Sequence, residues 1–310
     1  MRASRMPGDI DFTKGEFTLR FVSEGELYEW MGSTFRGAMG RSIKGIICQD
    51  TETDCHSCKR NETCLYFHLY ERKEANRGHS PPQRPAILIP PYLGNRRDRI
   101  VDRDTELKLG FLTFGKFSKY IPHLILSLQT MGRFGIGDAR HIGKNRFEVV
   151  EGRVSWEEEP FFKDDCLNLS NFSSRSLKDI KPINSDRIRV KFITPFGGKQ
   201  LPLTMGRYLF YTKLRIVRSV NEYGNGGYVP GEYKPWEKVV GRPAIVRRKI
   251  FRRRSSRSDK DRFEAYLGEI DFDISTLGEA ERWLLASSEI FGLGPNSSFG
   301  MGFVKITDLD

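Results

Sequence analysis

Apolar and polar residues alternate along Gly15-Glu-Phe-Thr-Leu-Arg-Phe-Val22, the period-two pattern of a half-buried strand. The period then lengthens. Trp30, Met31, Phe35, Met39 and Ile43 recur at helical spacing and predict a helix over about 29–46. After a cysteine-bearing stretch and a proline-rich one, strands are expected at 86–90 and 105–112. A helix at 118–130 then presents Ile121, Leu124, Ile125 and Leu128 on one side, followed by Met131-Gly-Arg-Phe-Gly-Ile-Gly137 and a strand near 146–151.

The second half repeats this order. Asp186-Arg-Ile-Arg-Val-Lys-Phe-Ile193 alternates as a strand, and Leu209, Leu214 and Val217 mark a helix over 204–221. Strands at 243–252 and 264–272, a helix at about 276–290, a glycine loop and a last strand at 301–307 complete it. Each half thus reads strand, helix, strand, strand, helix, strand. This is the order of a ferredoxin-like or RNA-recognition-motif unit, an antiparallel sheet with two helices on one face. The expectation is an α+β protein with two tandem ferredoxin-like domains, 1–151 and 186–310, each ending in a glycine-rich loop and a strand. Residues 48–91 are read as a cysteine-rich insertion, and 152–185, rich in Asp, Asn, Ser and Pro, as a linker.

The closing loop carries the first chemical signal. Phe291-Gly-Leu-Gly-Pro-Asn-Ser-Ser-Phe-Gly-Met-Gly302 sets two Gly-x-Gly pairs around a polar tip, so Gly292, Gly294, Gly300 and Gly302 allow close backbone approach while Asn296, Ser297 and Ser298 offer donors. Contact with a phosphate chain suits such a loop. A dinucleotide or P-loop fingerprint follows a strand and opens a helix, whereas this run follows a helix and feeds a strand, which disfavours a nucleotide cofactor.

Charge points to the same class of partner. The chain of 310 residues has a formal charge of +11, and 247–262 alone carry nine Lys or Arg against two Asp. Arg252, Arg253, Arg254 and Arg257 beside Ser255 and Ser256 read as a phosphate-binding patch, with a solvated basic loop or a membrane-touching arm as the alternative. No stretch has eighteen uninterrupted apolar residues and the start lacks the apolar run of a secretion signal, so a cytoplasmic protein without a membrane partner is expected.

Cys48, Cys55, Cys58 and Cys64 fall in one window, with a Cys-x-x-Cys at its centre and His56 and His68 nearby. Four thiolates in one loop suit a tetrahedral structural zinc. An iron–sulfur cluster and unliganded thiols are the alternatives.

Taken together these residues resemble the CRISPR precursor-RNA processing endoribonucleases of the RAMP superfamily, the Cas-six family, over nearly the whole chain. The resemblance rests on Tyr266-Leu-Gly-Glu-Ile270, Gly292-x-Gly followed by Ser297-Ser-Phe-Gly-x-Gly302, Thr194-Pro-Phe196, Arg253-Arg-Ser-Ser-Arg257, Gly32-Ser-x-Phe-Arg-Gly37 and the cysteine window. It implies binding of CRISPR repeat RNA and one cut without a catalytic metal. The RNA 2′-hydroxyl attacks the adjacent phosphorus, leaving a 2′,3′-cyclic phosphate and a 5′-hydroxyl. It also implies the crRNA product and other Cas effector subunits as partners, with a dimer left open. A non-catalytic RAMP subunit that binds guide RNA and scaffolds an effector complex shares every one of these features and is the alternative.

Many family members carry a histidine on or near the first helix, and 25–47 here has none. A lysine usual after the first glycine pair is Pro295 here. The proton carriers left are His123, amid apolar helix positions, and His141, just past the first glycine loop. The first helix and its approach offer Tyr28, Ser33, Arg36, Arg41 and Lys44, of which Tyr28, Arg36 and Lys44 are taken as catalytic candidates; Arg36 and Lys44 share one helical face for phosphorane stabilisation.

Overall fold

The structure is a computed structural model that describes residues 8–48, 52–76, 81–225, 237–252 and 262–309. The chain divides into two compact units, residues 11–175 and residues 1–10 with 176–310.

In the first unit β1 (Asp11–Phe21) leads to α1 (Gly32–Ile47), β2 (Ala86–Ile89), β3 (Glu106–Phe114), α2 (Ile121–Phe134) and β4 (Phe147–Val154). The strands pair antiparallel in the order β2-β3-β1-β4, with Phe17 opposite Leu109 and Leu19 opposite Leu107. The alternation read from sequence is the pattern that buries Phe17, Leu19 and Phe21 while Glu16 and Arg20 face solvent. α2 starts later than its apolar spacing predicts. Pro122 lacks an amide hydrogen and sits in the first turn, so residues 115–120 form a 3₁₀ stretch instead. It ends at Gly135, whose φ of 78° only glycine adopts freely.

Two boundaries differ from the sequence reading. Ala86–Ile89, inside the expected insertion, is a buried strand of the main sheet, so the inserted segment ends before it. The expected linker is folded as far as residue 175. β4 runs on to Val154, and the short β5 (Phe162–Lys163) and β6 (Cys166–Leu167) extend the sheet. Phe161 is fully buried against Phe17 and Phe111, with ring centroids 5.8 Å from each, and Phe172 lies 4.9 Å from Phe161. The polar composition of this stretch masked its aromatic anchors.

The second unit has β7 (Arg187–Phe192), α3 (Met205–Tyr223), β8 (Arg242–Arg252), β9 (Arg262–Asp273), α4 (Glu279–Phe291) and β10 (Val304–Asp308). Its sheet order, β8-β9-β7-β10, repeats that of the first unit. Ile188, Val190 and Phe192 are buried, while Arg189 and Lys191 on the other face pair with Asp271 and Glu269 across the β7–β9 register. Thr204 caps α3 by accepting from the Arg207 amide. Among the described residues no helix is long and apolar enough to cross a membrane.

Candidate active site

α1 is buried through Phe35, Met39 and Ile43, and its remaining faces meet different surroundings. Arg36, Gly40 and Lys44 lie on one of them. The Arg36 guanidinium stacks 4.6 Å above the Tyr70 ring, and the Tyr70 hydroxyl donates to the Arg36 carbonyl at 2.9 Å. Lys44 lies over Tyr66, whose ring stacks on Tyr70. Full burial raises the Tyr70 phenol far above its usual range, so the ring stays a neutral platform. Arg36 and Lys44 thus contact the aromatic rings of the inserted segment.

The adjacent face of α1 is open. Ala38, Arg41, Ser42 and Gly45 form one wall of a cleft of about 540 Å³. The opposite wall is the end of α2, with Thr130, Met131 and Phe134, and Arg140 and His141 of the 3₁₀ turn after the first glycine loop close it. Burial and the neighbouring Arg140 both pull the Arg41 pKa below its ordinary value, which places two like charges close together. Among the described residues neither guanidinium is paired with a carboxylate. Two guanidinium forks with no described carboxylate partner, an exposed imidazole and a serine hydroxyl around one hollow can bind a phosphate diester and take a proton from a hydroxyl beside it.

His141 lines this cleft. His123 does not. It sits in the first turn of α2, away from the Met131–Phe134 end, with its ring 5.5 Å from Tyr120. Its buried Nδ1 has no partner among the described residues. Tyr28 is half-exposed beside Gly137, where a Cβ would come within 3.7 Å of its ring.

A structural zinc at the cysteine window is not shown. Among the described residues no three of His, Cys, Asp and Glu are grouped so that they could hold a metal ion, although Cys48, Cys55, Cys58 and Cys64 are all described. Burial, then Glu71 and the neighbouring Cys48 and Cys64, raise the Cys55 thiol. His68 uses Nε2 on the Glu62 carbonyl at 2.8 Å. The segment is also held by aromatic contacts, His56 on Phe67 and His68 on Phe117 at 5.3 and 4.9 Å.

The closing glycine loop is built around a side chain of its own unit. Gly292, Gly294, Gly300 and Gly302 take φ of 65°, 79°, 73° and 76° and Asn296 takes 61°, so the chain winds back on itself. What it winds around is Arg215 of α3, 3% exposed. Arg215 Nε donates to the Gly294 carbonyl (2.9 Å), Nη1 to Phe291 (3.0 Å), and Nη2 to Met301 (2.6 Å) and Pro295 (3.4 Å). Burial and Arg218 pull the Arg215 pKa down to about 9, which leaves it charged at neutral pH. A Cβ on Gly292 would meet Arg215 at 2.3 Å and one on Gly294 would meet Phe196 at 2.2 Å. Gly302 donates to the Pro195 carbonyl and Phe303 to the Thr194 hydroxyl, so Thr194-Pro-Phe196 brace the same loop. These glycines make room for an internal cation and a phenyl ring, and at least part of the loop's carbonyl dipoles point inward. The tip, with Asn296 exposed and Ser297 and Ser298 half-exposed, remains at the surface.

In the basic segment β8 exposes Arg242 and Arg247, and Arg248 pairs with Glu264 across the hairpin. Arg252 ends β8, and Arg253, Arg254, Ser255, Ser256 and Arg257 lie outside the described residues.

The residues missed by sequence reasoning are Arg140, Ser42, Phe134 and Arg215, and Arg41 was noted without being selected. Arg215 had a signal: it occupies an apolar-face position of α3, on the stripe of Tyr208, Thr212 and Ser219. Arg41 and Arg140 had none, because nothing local joins them.

The family profile for the AF_1859 N-terminal domain matches residues 10–168 and that for the AF_1859 C-terminal domain matches 188–306. The chain is 30% identical over 285 residues to an uncharacterized protein of Archaeoglobus fulgidus, covering 89% of this chain and 91% of that one. Thermus thermophilus Cas6 superposes with a TM-score of 0.52 at 14% identity, over 97% of this chain and 99% of that one. A Cas6 product complex superposes with a TM-score of 0.52 at 13% identity, over 95% and 99%. At these identities the likeness is one of fold. With both halves matched in order, the chain belongs to the AF_1859 family and has the mixed α/β, antiparallel-sheet fold of the Cas6 structures.

Proposed function

We propose that this chain is a CRISPR repeat RNA-binding endoribonuclease, two tandem ferredoxin-like domains whose chemistry is centred on the α1–α2 cleft. The observation that carries the reading is the convergence of Arg41, Arg140 and His141 on one hollow. The shared fold with a Cas6 product complex supports it.

In this reading Arg41 and Arg140 grip the non-bridging oxygens of the scissile phosphate. His141 in its neutral form takes the proton from the 2′-hydroxyl. The O2′–P bond forms, the P–O5′ bond breaks, and the departing 5′ oxygen takes up a proton from water. The products are a 2′,3′-cyclic phosphate and a 5′-hydroxyl, and charge on the phosphorane is neutralised by side chains of the chain itself, without a metal. The exposed cations of β8 offer phosphate contacts of their own on the second unit.

The test is single-turnover cleavage of the cognate repeat RNA in EDTA. The wild-type protein is expected to cut at one position, and a 2′-deoxy nucleotide there should abolish the cut. His141→Ala is expected to slow it by about 10²–10⁴-fold, while Arg36→Ala and His123→Ala stay far nearer wild type. Unchanged cleavage by His141→Ala would remove the mechanism. Tight binding of RNA that stays intact would favour the non-catalytic scaffold subunit.

A further inference from the structure

One aromatic side chain at the cleft has no role in phosphate chemistry. Phe134 is the last residue of α2 and lines the cleft, yet it is 71% exposed. By helical spacing it continues the stripe of Ser127 and Met131, both buried, so its position is one the fold would ordinarily cover. The helix stops there at Gly135, with φ of 78°, and among the described residues the ring stays exposed. Ile142, next to His141, is likewise 72% exposed. An uncovered ring beside two guanidiniums with no carboxylate partner among the described residues is the combination by which proteins hold single-stranded RNA, the cations taking the backbone and the ring taking the face of a base.

We propose that Phe134 is the stacking platform for an unpaired nucleobase next to the phosphate held by Arg41 and Arg140. This rests on the reading of the cleft as a phosphodiester site. Arg41 and Arg140 are shared by every nucleotide that enters, whereas the ring requires the adjoining base to be splayed out of a helix. The bound RNA is therefore single-stranded at the cleft, and the platform accepts any base, since each has a π-face.

The probe is the cognate repeat RNA carrying 2-aminopurine at one position at a time, with 2′-deoxyribose at the scissile nucleotide. One position is expected to be quenched on binding. Phe134→Ala should abolish that quench and weaken binding about ten-fold, and Phe134→Trp should restore both. Removing the base at that position should weaken wild-type binding similarly and leave Phe134→Ala unaffected. Phe134 is exposed, so its replacement is expected to leave the melting transition in place. Quenching and affinity in Phe134→Ala equal to wild type would overturn the platform while leaving the phosphate site standing. RNA binding indifferent to Arg41→Ala and Arg140→Ala would instead sink the phosphate site itself, and the platform with it.

Discussion

Replacing Arg215 by Met tests whether the closing glycine loop is built around an internal cation. Methionine fills a similar volume and removes every donor. The carbonyls of Phe291, Gly294 and Met301, at 3.0, 2.9 and 2.6 Å from the guanidinium, lose their partner, and Phe291 and Met301 are 2% and 1% exposed. An acceptor stranded in a buried setting costs about 1–3 kcal/mol, which puts the buried Phe291 and Met301 carbonyls together at roughly 2–6 kcal/mol, with the part-buried Gly294 carbonyl adding less. Burying the guanidinium itself costs several kcal/mol, and the variant no longer bears that cost. The net expectation is a loss of about 3 kcal/mol. With a urea slope of about 1–3 kcal/mol per molar, the midpoint of the second unit should fall by roughly 1–3 M. Arg215→Lys should recover only part of this, because an ammonium is a point donor that cannot span carbonyls at both ends of the loop. Hydrogen exchange gives the local readout. The amides of Leu293 and Gly302, bonded to Gly302 and Pro195, should exchange faster, while the Phe35 amide in the first unit should not change. A Met variant with an unshifted midpoint and protected Leu293 and Gly302 would refute the clamp.

Gly302→Ala should destabilise the second unit through backbone alone: its φ is 76° and a Cβ would stand 2.0 Å from the Leu293 carbonyl oxygen, so a penalty of at least ~1–3 kcal/mol is expected in the same urea titration. Arg140→Ala should weaken RNA binding and lower the slope of log affinity against log salt by about 1, read by filter binding across a salt series, and an unchanged slope would remove Arg140 from the phosphate contacts. The hydrogen bond and charge of Arg189 hold the Asp271 carboxyl below its usual pKa of 3.8, so the stability it adds is present above the unfolded value and is lost as pH falls through the folded one. Asp271→Asn should flatten the acid limb of the stability curve, and an acid limb of wild-type shape would assign that loss to other carboxylates.

The order of elements was legible in the sequence because strand and helix periods are local. Phe17, Leu19 and Phe21 alternate, and Phe35, Met39 and Ile43 recur every three or four positions, whatever they pack against. Glycines at helix ends were legible for the same reason, since Gly135 and Gly292 stop α2 and α4 by their own backbone freedom. The sequence alone also placed His141 directly after one of these loops. It could say that Arg36 and Lys44 share a helical face, but not that Tyr66 and Tyr70 cover it. Only the tertiary structure turned the neighbouring face of α1 toward the end of α2 and so joined Arg41 to Arg140 and His141. It alone drew the carbonyls of the closing loop onto Arg215. Periodicity states which residues look the same way, whereas what they look at depends on contacts between segments far apart in the chain, which carry no local signature.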